Sequence, residues 1–154
     1  PPIYKIVEFE NSSFSGYCVK KGKRRSMSDS IKNCLFCNIP KERVVAENEL
    51  AYAICDGFPV TEHHTLVIPK RHAEEYFALT QDELLACNEL LHSERKDILK
   101  NDQTVEGFNI GMNSGEVAGQ TVFHCHIHLI PRRKGDVADP KGGVRHLIPD
   151  KGFY

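Results

Sequence analysis

The sequence lacks any excess of charge of one sign: 20 Lys and Arg stand against 21 Asp and Glu. A balanced chain has no whole-molecule attraction for nucleic acid or for acidic partners. It lacks a run of eighteen apolar residues, so no helical bilayer span is expected. Its opening residues, PPIYKIVEFE, lack a basic cluster followed by an apolar core, so no secretory leader is expected. Internal repeats are absent. A disulfide framework is also missing. Only Cys34 and Cys37 are close-set; Cys18, Cys55, Cys87 and Cys125 fall singly in apolar stretches. That usage suits reduced, buried thiols in a cytoplasmic protein.

What is present is ordinary globular sequence. The 154 residues are 40% hydrophobic and 27% charged, enough for one domain with its own core. Residues 1–33 read as an N-terminal extension. In it IYKIVEFE and GYCVKK flank NSSFS as a possible hairpin, and KKGKRRSMSDS forms a polar, basic linker. Residues 34–154 read as the main domain. AYAICD and HTLVIP are predicted strands, with Pro59 in the turn between them. TQDELLACNELLHSERKDILK is a predicted helix. Thr80 and Glu83 form a capping box at its start, and Leu84, Leu85, Asn88, Leu91 and Ile98 mark the face it buries. EGFNIGMN is a predicted strand, NSGEVAGQ a Gly-rich loop, and TVFHCHIHLIP another strand. The tail RRKGDVADPKGGVRHLIPDKGFY is rich in Gly and Pro and reads as irregular.

The stretch VFHCHIHLIPRR sets His124, His126 and His128 at alternate positions. On a helix such positions would scatter around the axis; on a strand they share one face. Phe123, Cys125, Ile127 and Leu129 would then form the apolar face that packs on the core. Three explanations compete. The first is a polar sheet face that happens to use histidine. The second is a three-histidine metal site, although same-face neighbours stand nearly 7 Å apart, roughly two strand rises. The third is covalent catalysis by one histidine. The loop before the strand bears on the choice. Gly115, Gly119, Gln120 and Thr121 would let backbone N–H groups approach an anion, and Asn113 and Thr121 add neutral donors.

GQTVFHCHIHLIPR resembles the signature of the histidine triad (HIT) family of nucleotidyl hydrolases and transferases. HTLVIPKRH resembles that family's earlier strand, AICDGFPVTEHH the turn before it, and CLFC the cysteine pair of its zinc-containing members. The resemblance covers residues 34 to about 133. The Pro-Arg after the triad and the following KGD look more like the branch that cleaves dinucleoside polyphosphates than the nucleoside phosphoramidase branch.

The resemblance implies an α+β fold: an antiparallel sheet of about five strands with one long and one short helix. It implies that His126 is the nucleophile, that His128 contacts the α-phosphate, and that His64 is a further active-site histidine. Asn113, Gly119, Gln120, Thr121 and Val122 would hold phosphate oxygens, and Asp56 the ribose hydroxyls, with a plain turn role as its alternative. Chemistry agrees on His126. A neutral imidazole attacks phosphorus without deprotonation, and its adduct keeps a good leaving group. Its other ring nitrogen needs an acceptor such as a backbone carbonyl. A protonated His128 would offset phosphoryl charge. No Walker-type lysine or paired-carboxylate magnesium site accompanies the triad, so neutralisation falls to histidines, amides and Arg132, Arg133 or Lys134.

Cys34 and Cys37 form a C-x-x-C motif. A redox pair would need a strand before it and a helix after it, whereas Pro40 follows closely; zinc is the better reading. In zinc-containing members the remaining two ligands match His72 and His124 here. Such a site has no open position and is structural. His63 and His92 read as surface residues, and His146 as a surface residue or one that closes over the site. The implied substrate is a nucleotide, a dinucleoside polyphosphate first and a nucleoside phosphoramidate second, with hydrolysis and phosphorolysis left open. A homodimer through the helix and an edge strand is also implied. Readings of other classes are a nucleotide-binding sensor with little turnover and a zinc hydrolase that uses all three histidines as ligands.

Overall fold

A computed structural model describes residues 31–152, so the extension expected over residues 1–33 lies almost wholly outside the described residues. Five strands form one antiparallel sheet: β1 (Val44–Glu47), β2 (Ala51–Cys55), β3 (Thr65–Pro69), β4 (Val105–Gly111) and β5 (Ile127–Arg133). Their spatial order is β1-β2-β3-β5-β4. One long helix, α1 (Gln81–Asn101), crosses the sheet. The other helical pieces are 3-10 turns of three to five residues, with Ile31 and Lys32 also helical. This is the α+β architecture the sequence predicts, with a five-stranded sheet and one main helix. No helix among the described residues is long and apolar enough to cross a membrane.

The start of α1 is fixed by its capping box. Thr80 Oγ1 accepts from the Glu83 N–H at 3.2 Å, and Glu83 Oε2 accepts from the Thr80 N–H at 2.8 Å. Two of the orphan amides of the first turn are thereby satisfied. The helix stops where Asp102 turns extended, with its N–H still donating to Ile98 O. The buried face consists of Glu83, Ala86, Cys87, Leu90, Glu94 and Ile98. That differs from the predicted stripe: Leu85 is 58% exposed, and small residues take its place. Ala86 shares one buried cluster with Ala51 and Ala53 of β2, so this layer between helix and sheet is built largely from short side chains. Leu90 and Ile98 fill the remaining space, each worth roughly 1.5–3 kcal/mol in burial.

The opposite sheet face is covered differently. Tyr52, Ile54, Leu66 and Ile68 pack under Cys34 and Phe36 of the chain that precedes β1. Along β5 the alternation separates the two sides. Ile127, Leu129 and Pro131 are buried, while His128, Ile130 and Arg132 are half-buried on the other face. Leu66 is the β3 partner of His128, and Gly111 its β4 partner. The histidine face is therefore the face away from α1.

Two strand expectations need correction. β1 was not foreseen. β5 begins at Ile127, not Thr121, because the residues before it leave the ladder. There the His124 N–H bonds to Val122 O at 2.8 Å, and the Cys125 N–H to Ala73 O at 2.7 Å. Phe123, expected in the core, is 47% exposed, whereas Cys125, Ile127 and Leu129 are buried as expected.

Candidate active site and metal centre

His124 leaves the strand path to join a cluster of four ligand-type side chains. Cys34, Cys37, His72 and His124 each bring one donor atom within 4.8 Å of the others. Cys34 Sγ lies 3.4 Å and Cys37 Sγ 3.5 Å from His124 Nδ1, and Cys37 Sγ lies 3.3 Å from His72 Nδ1. Tetrahedral bonds of 2.3 Å to sulfur and 2.0–2.1 Å to nitrogen put such edges at about 3.5 Å. The spacing therefore fits one metal ion. The ring orientation fits as well. His124 Nε2 sits 2.8 Å from Pro69 O. A carbonyl only accepts, so Nε2 carries the proton and the Nδ1 lone pair faces the thiols. His72 Nε2 is buried without a hydrogen-bond partner among the described residues, which leaves its Nδ1 as the functional end. Burial first, then the neighbouring Cys34, push the Cys37 thiol up to about 11. A cation bound at the cluster would offset that cost and favour the Cys37 thiolate.

The cluster is fastened from outside. Arg71, beside His72, forms a bidentate pair with Glu83 of the capping box at 2.7 Å for both contacts. That guanidinium holds the Glu83 carboxyl down to about 2. Tyr52 OH donates to Phe36 O at 2.5 Å, pinning the cysteine turn to β2. The sequence pattern announces neither tie. The one available signal was a tyrosine in the apolar strand AYAIC, whose hydroxyl must find a partner when buried.

His126 sits beside this cluster but belongs to neither ligand group found among the described residues. It is 8% exposed. Its Nδ1 lies 2.8 Å from His124 O. The carbonyl again fixes the tautomer: Nδ1 bears hydrogen, and Nε2 is left with a free lone pair.

His64, His128 and Asp56 form a second group. His64 Nε2 and His128 Nδ1 are 2.9 Å apart. The Val60 N–H donates to His64 Nδ1 at 3.3 Å, so neutral His64 carries its proton on Nε2 and donates to His128. Asp56 Oδ2 stands 3.4 Å from His64 Nδ1 and 3.9 Å from His128 Nδ1. Burial, then the neighbouring His126 and His64, hold His128 down to about 4, and burial also lowers His64. A neutral His128 thus replaces the protonated ring expected from sequence. These three side chains could also hold a metal ion, but the 2.9 Å separation is already spent as a hydrogen bond.

The remaining expected residues divide. Asp56 Oδ1 accepts from the Phe58 N–H at 2.9 Å, the turn role that was its alternative reading, while Oδ2 stays with the histidines. Gly115 and Gly119 have φ of 90° and 87°, a region that L side chains enter with strain. Gln120 is buried, and its amide is consumed inside the loop: the Gly115 N–H donates to Oε1, and Nε2 donates to Glu74 O and Val122 O. It shapes the loop and has no polar atom left for phosphate. Asn113 Nδ2 reaches Gly119 O at 3.4 Å, Thr121 is exposed, and Val122 packs against the apolar cluster under Phe36. Arg132 and Arg133 do not serve as free cations. Arg132 is held by Asp136 and Asn109, and Arg133 by Asp102 and Thr104. His63 is a turn residue at φ 65°.

With this geometry in view, comparison with known proteins is direct. The HIT domain model matches residues 38–135. A HIT-like protein of Mycoplasma pneumoniae is 43% identical over 114 residues, covering 71% of this chain and 77% of that protein. The adenosine 5'-monophosphoramidase of Candida albicans is 33% identical over 109 residues, covering 66% of this chain and 71% of its own. Among solved structures, a Zn-bound histidine triad family protein from Mycobacterium smegmatis is 32% identical with a TM-score of 0.63, covering 71% of this chain and 81% of its own. The chain belongs to the HIT family, whose members are nucleotide hydrolases and transferases.

Proposed function

We propose that this chain hydrolyses the α-phosphate linkage of a nucleotide through a covalent adduct on His126. The observation that carries the reading is the 2.8 Å contact of His126 Nδ1 with His124 O, which presents Nε2 as an unprotonated nucleophile. Nε2 attacks the α-phosphorus, and the bond from phosphorus to the leaving group breaks. Nδ1–H stays on the carbonyl and shares the charge the ring acquires. His128, receiving a hydrogen bond at Nδ1 from His64, turns its Nε2–H toward the phosphoryl oxygens or the departing atom. Water then attacks the adduct, releasing a nucleoside monophosphate and the free imidazole.

The backbone N–H of Val122, with Asn113 and Thr121, is assigned to the phosphate oxygens and Asp56 to the ribose, whereas the Gly119 N–H expected beside them already donates to Glu116 O at 2.9 Å. Cys34, Cys37, His72 and His124 are assigned to zinc, which would supply a structural cross-link and no open coordination position. Reduced cysteines suit the cytoplasm, and a homodimer across α1 and the β4 edge is the assembly assigned to it.

Dinucleoside polyphosphates are the first substrates to test. Nucleoside phosphoramidates are the second, favoured by the name of the Candida albicans relative. The test is incubation with both classes in oxygen-18 water, with intact-protein mass recorded at millisecond to second delays. The expected result is a transient nucleotidyl mass on His126 and one labelled oxygen in the monophosphate. Tight nucleotide binding with neither adduct nor product would move the chain to the sensor class. Loss of turnover on chelation, with no adduct at any delay, would indicate a zinc hydrolase.

A further inference from the structure

The turn that closes the metal cluster also walls the proposed nucleophile. Phe36 stands between the two cysteines and is 6% exposed. Its ring centroid lies 5.1 Å from that of His126 at 60°, and 6.0 Å from that of His124 at 83°. On another side of His126 stands the His128 ring, at 5.2 Å and 65°. The hydrogen bond from Nδ1 fixes one atom of the imidazole. Bonded to the chain through Cγ and held at Nδ1, the ring can still tilt by coupled changes in χ1 and χ2, and packing must remove that freedom. Phe36 supplies the packing.

The backbone of Phe36 is itself tied down. Its carbonyl accepts from Tyr52 OH at 2.5 Å, and Asn38 Nδ2 donates to Cys34 O at 2.8 Å. Two of the three contacts that restrain His126 thus come from the ligand cluster: the carbonyl of His124, and the aromatic ring carried between Cys34 and Cys37.

We propose that Phe36 is a positioning residue for His126, so that the cysteine turn sets the direction in which the nucleophile points. The proposal rests on the reading of His126 as nucleophile, and it goes further: closure of the cluster and competence of the site are one property. A structural metal would then act on rate without touching substrate. Errors of about 1 Å in the placement of a reacting atom cost on the order of 100-fold, and loss of outer-shell support about 10–100-fold.

The test compares wild type with Phe36→Ala, Phe36→Leu and Tyr52→Phe, all in metal-replete protein. The rate of adduct formation, KM, metal per chain and the nitrogen-15 ring resonances of His126 are read together. Phe36→Ala is expected to lower kcat about 10–100-fold, with KM within about twofold and metal retained. Phe36→Leu should recover part of the rate, because leucine fills part of the same space. Tyr52→Phe should fall between them, since it keeps the ring but frees the turn. The share of His126 carrying hydrogen on Nδ1 should fall in the same order.

If Phe36→Ala does not fold, the leucine and Tyr52→Phe variants carry the test alone. A raised KM with kcat intact would make Phe36 a nucleotide contact and overturn the proposal. So would an unchanged kcat and tautomer, or a loss of metal that accounts for all of the rate. A wild type that forms no adduct, with Phe36→Leu still shifting the tautomer, would sink the chemistry and keep the positioning role.

Discussion

His124 and His128 stand four positions apart, and both rings are held down to about 4 chiefly by burial. Their surroundings nevertheless differ at every point. His124 has no exposure, gives its Nε2 proton to a carbonyl, and turns its other nitrogen on two thiols. His128 has a side chain 24% exposed, accepts from another imidazole, and lies on the sheet face away from α1. One environment encloses a cation and leaves nothing over; the other keeps a donor facing outward. The lesson is that histidine's role follows from what its second nitrogen meets and from whether solvent reaches the first. His126 lies between the two and takes its hydrogen-bond acceptor from the closed group.

Four experiments break or sharpen this contrast. The largest effect is expected from His126→Ala, which should lower turnover by at least about 1,000-fold while metal content and fold are retained. A parallel loss of metal would merge the two groups into one. Next comes Cys37→Ser, which should weaken metal affinity by at least about 100-fold and lower the thermal midpoint. A serine variant that stays metal-loaded would remove Cys37 from the ligand set. Third is Arg71→Met. It leaves the Glu83 carboxylate, 6% exposed, without its cation, but Arg71 is half exposed, so the loss should be about 2 kcal/mol in denaturant unfolding. A neutral result would show that the His72 segment does not lean on the helix cap.

The smallest effect is nil at neutral pH and appears only in acid. His128 has a folded value of about 4 against 6.5 for the free ring, so between these limits the unfolded chain binds more protons. Its contribution to stability is complete above about pH 6.5 and is lost as pH falls toward 4. Unfolding midpoints of wild type and His128→Asn, followed over that range, should run together near neutrality and separate in acid, the wild type falling further. Parallel curves would mean that the ring is open enough to hold its proton.

The parts legible in the sequence were local. α1 announced itself through Thr80 and Glu83, a box that closes within four residues. β2, β3 and β4 were legible as apolar segments bounded by turn residues. β1 was not, because VVAE is short and half of it is exposed. The alternation at His124, His126 and His128 predicts one continuous strand. The pull of Cys34 and Cys37 on His124, from some 90 residues away, ended the ladder early. Gln120 looked available because its partners, Glu74 O and the Gly115 N–H, are backbone groups that no side-chain pattern reveals. Arg133 looked free for a similar reason, because Asp102 approaches it only across the fold, whereas the partner of Arg132, Asp136, stands only four positions on. The resemblance supplied the four-residue ligand set, and the geometry adds the ties around it, from Pro69, Tyr52 and Glu83.

The same 90-residue separation between Cys34 and His124 has a consequence for how the chain assembles. Fastening two points so distant along a polymer costs more entropy than closing a hairpin, and contacts of that kind form late. The covering turn should therefore be the last piece to dock and the first to swing away. Amide hydrogens near Phe36 would exchange ahead of those beneath α1, and a chelator would widen that gap.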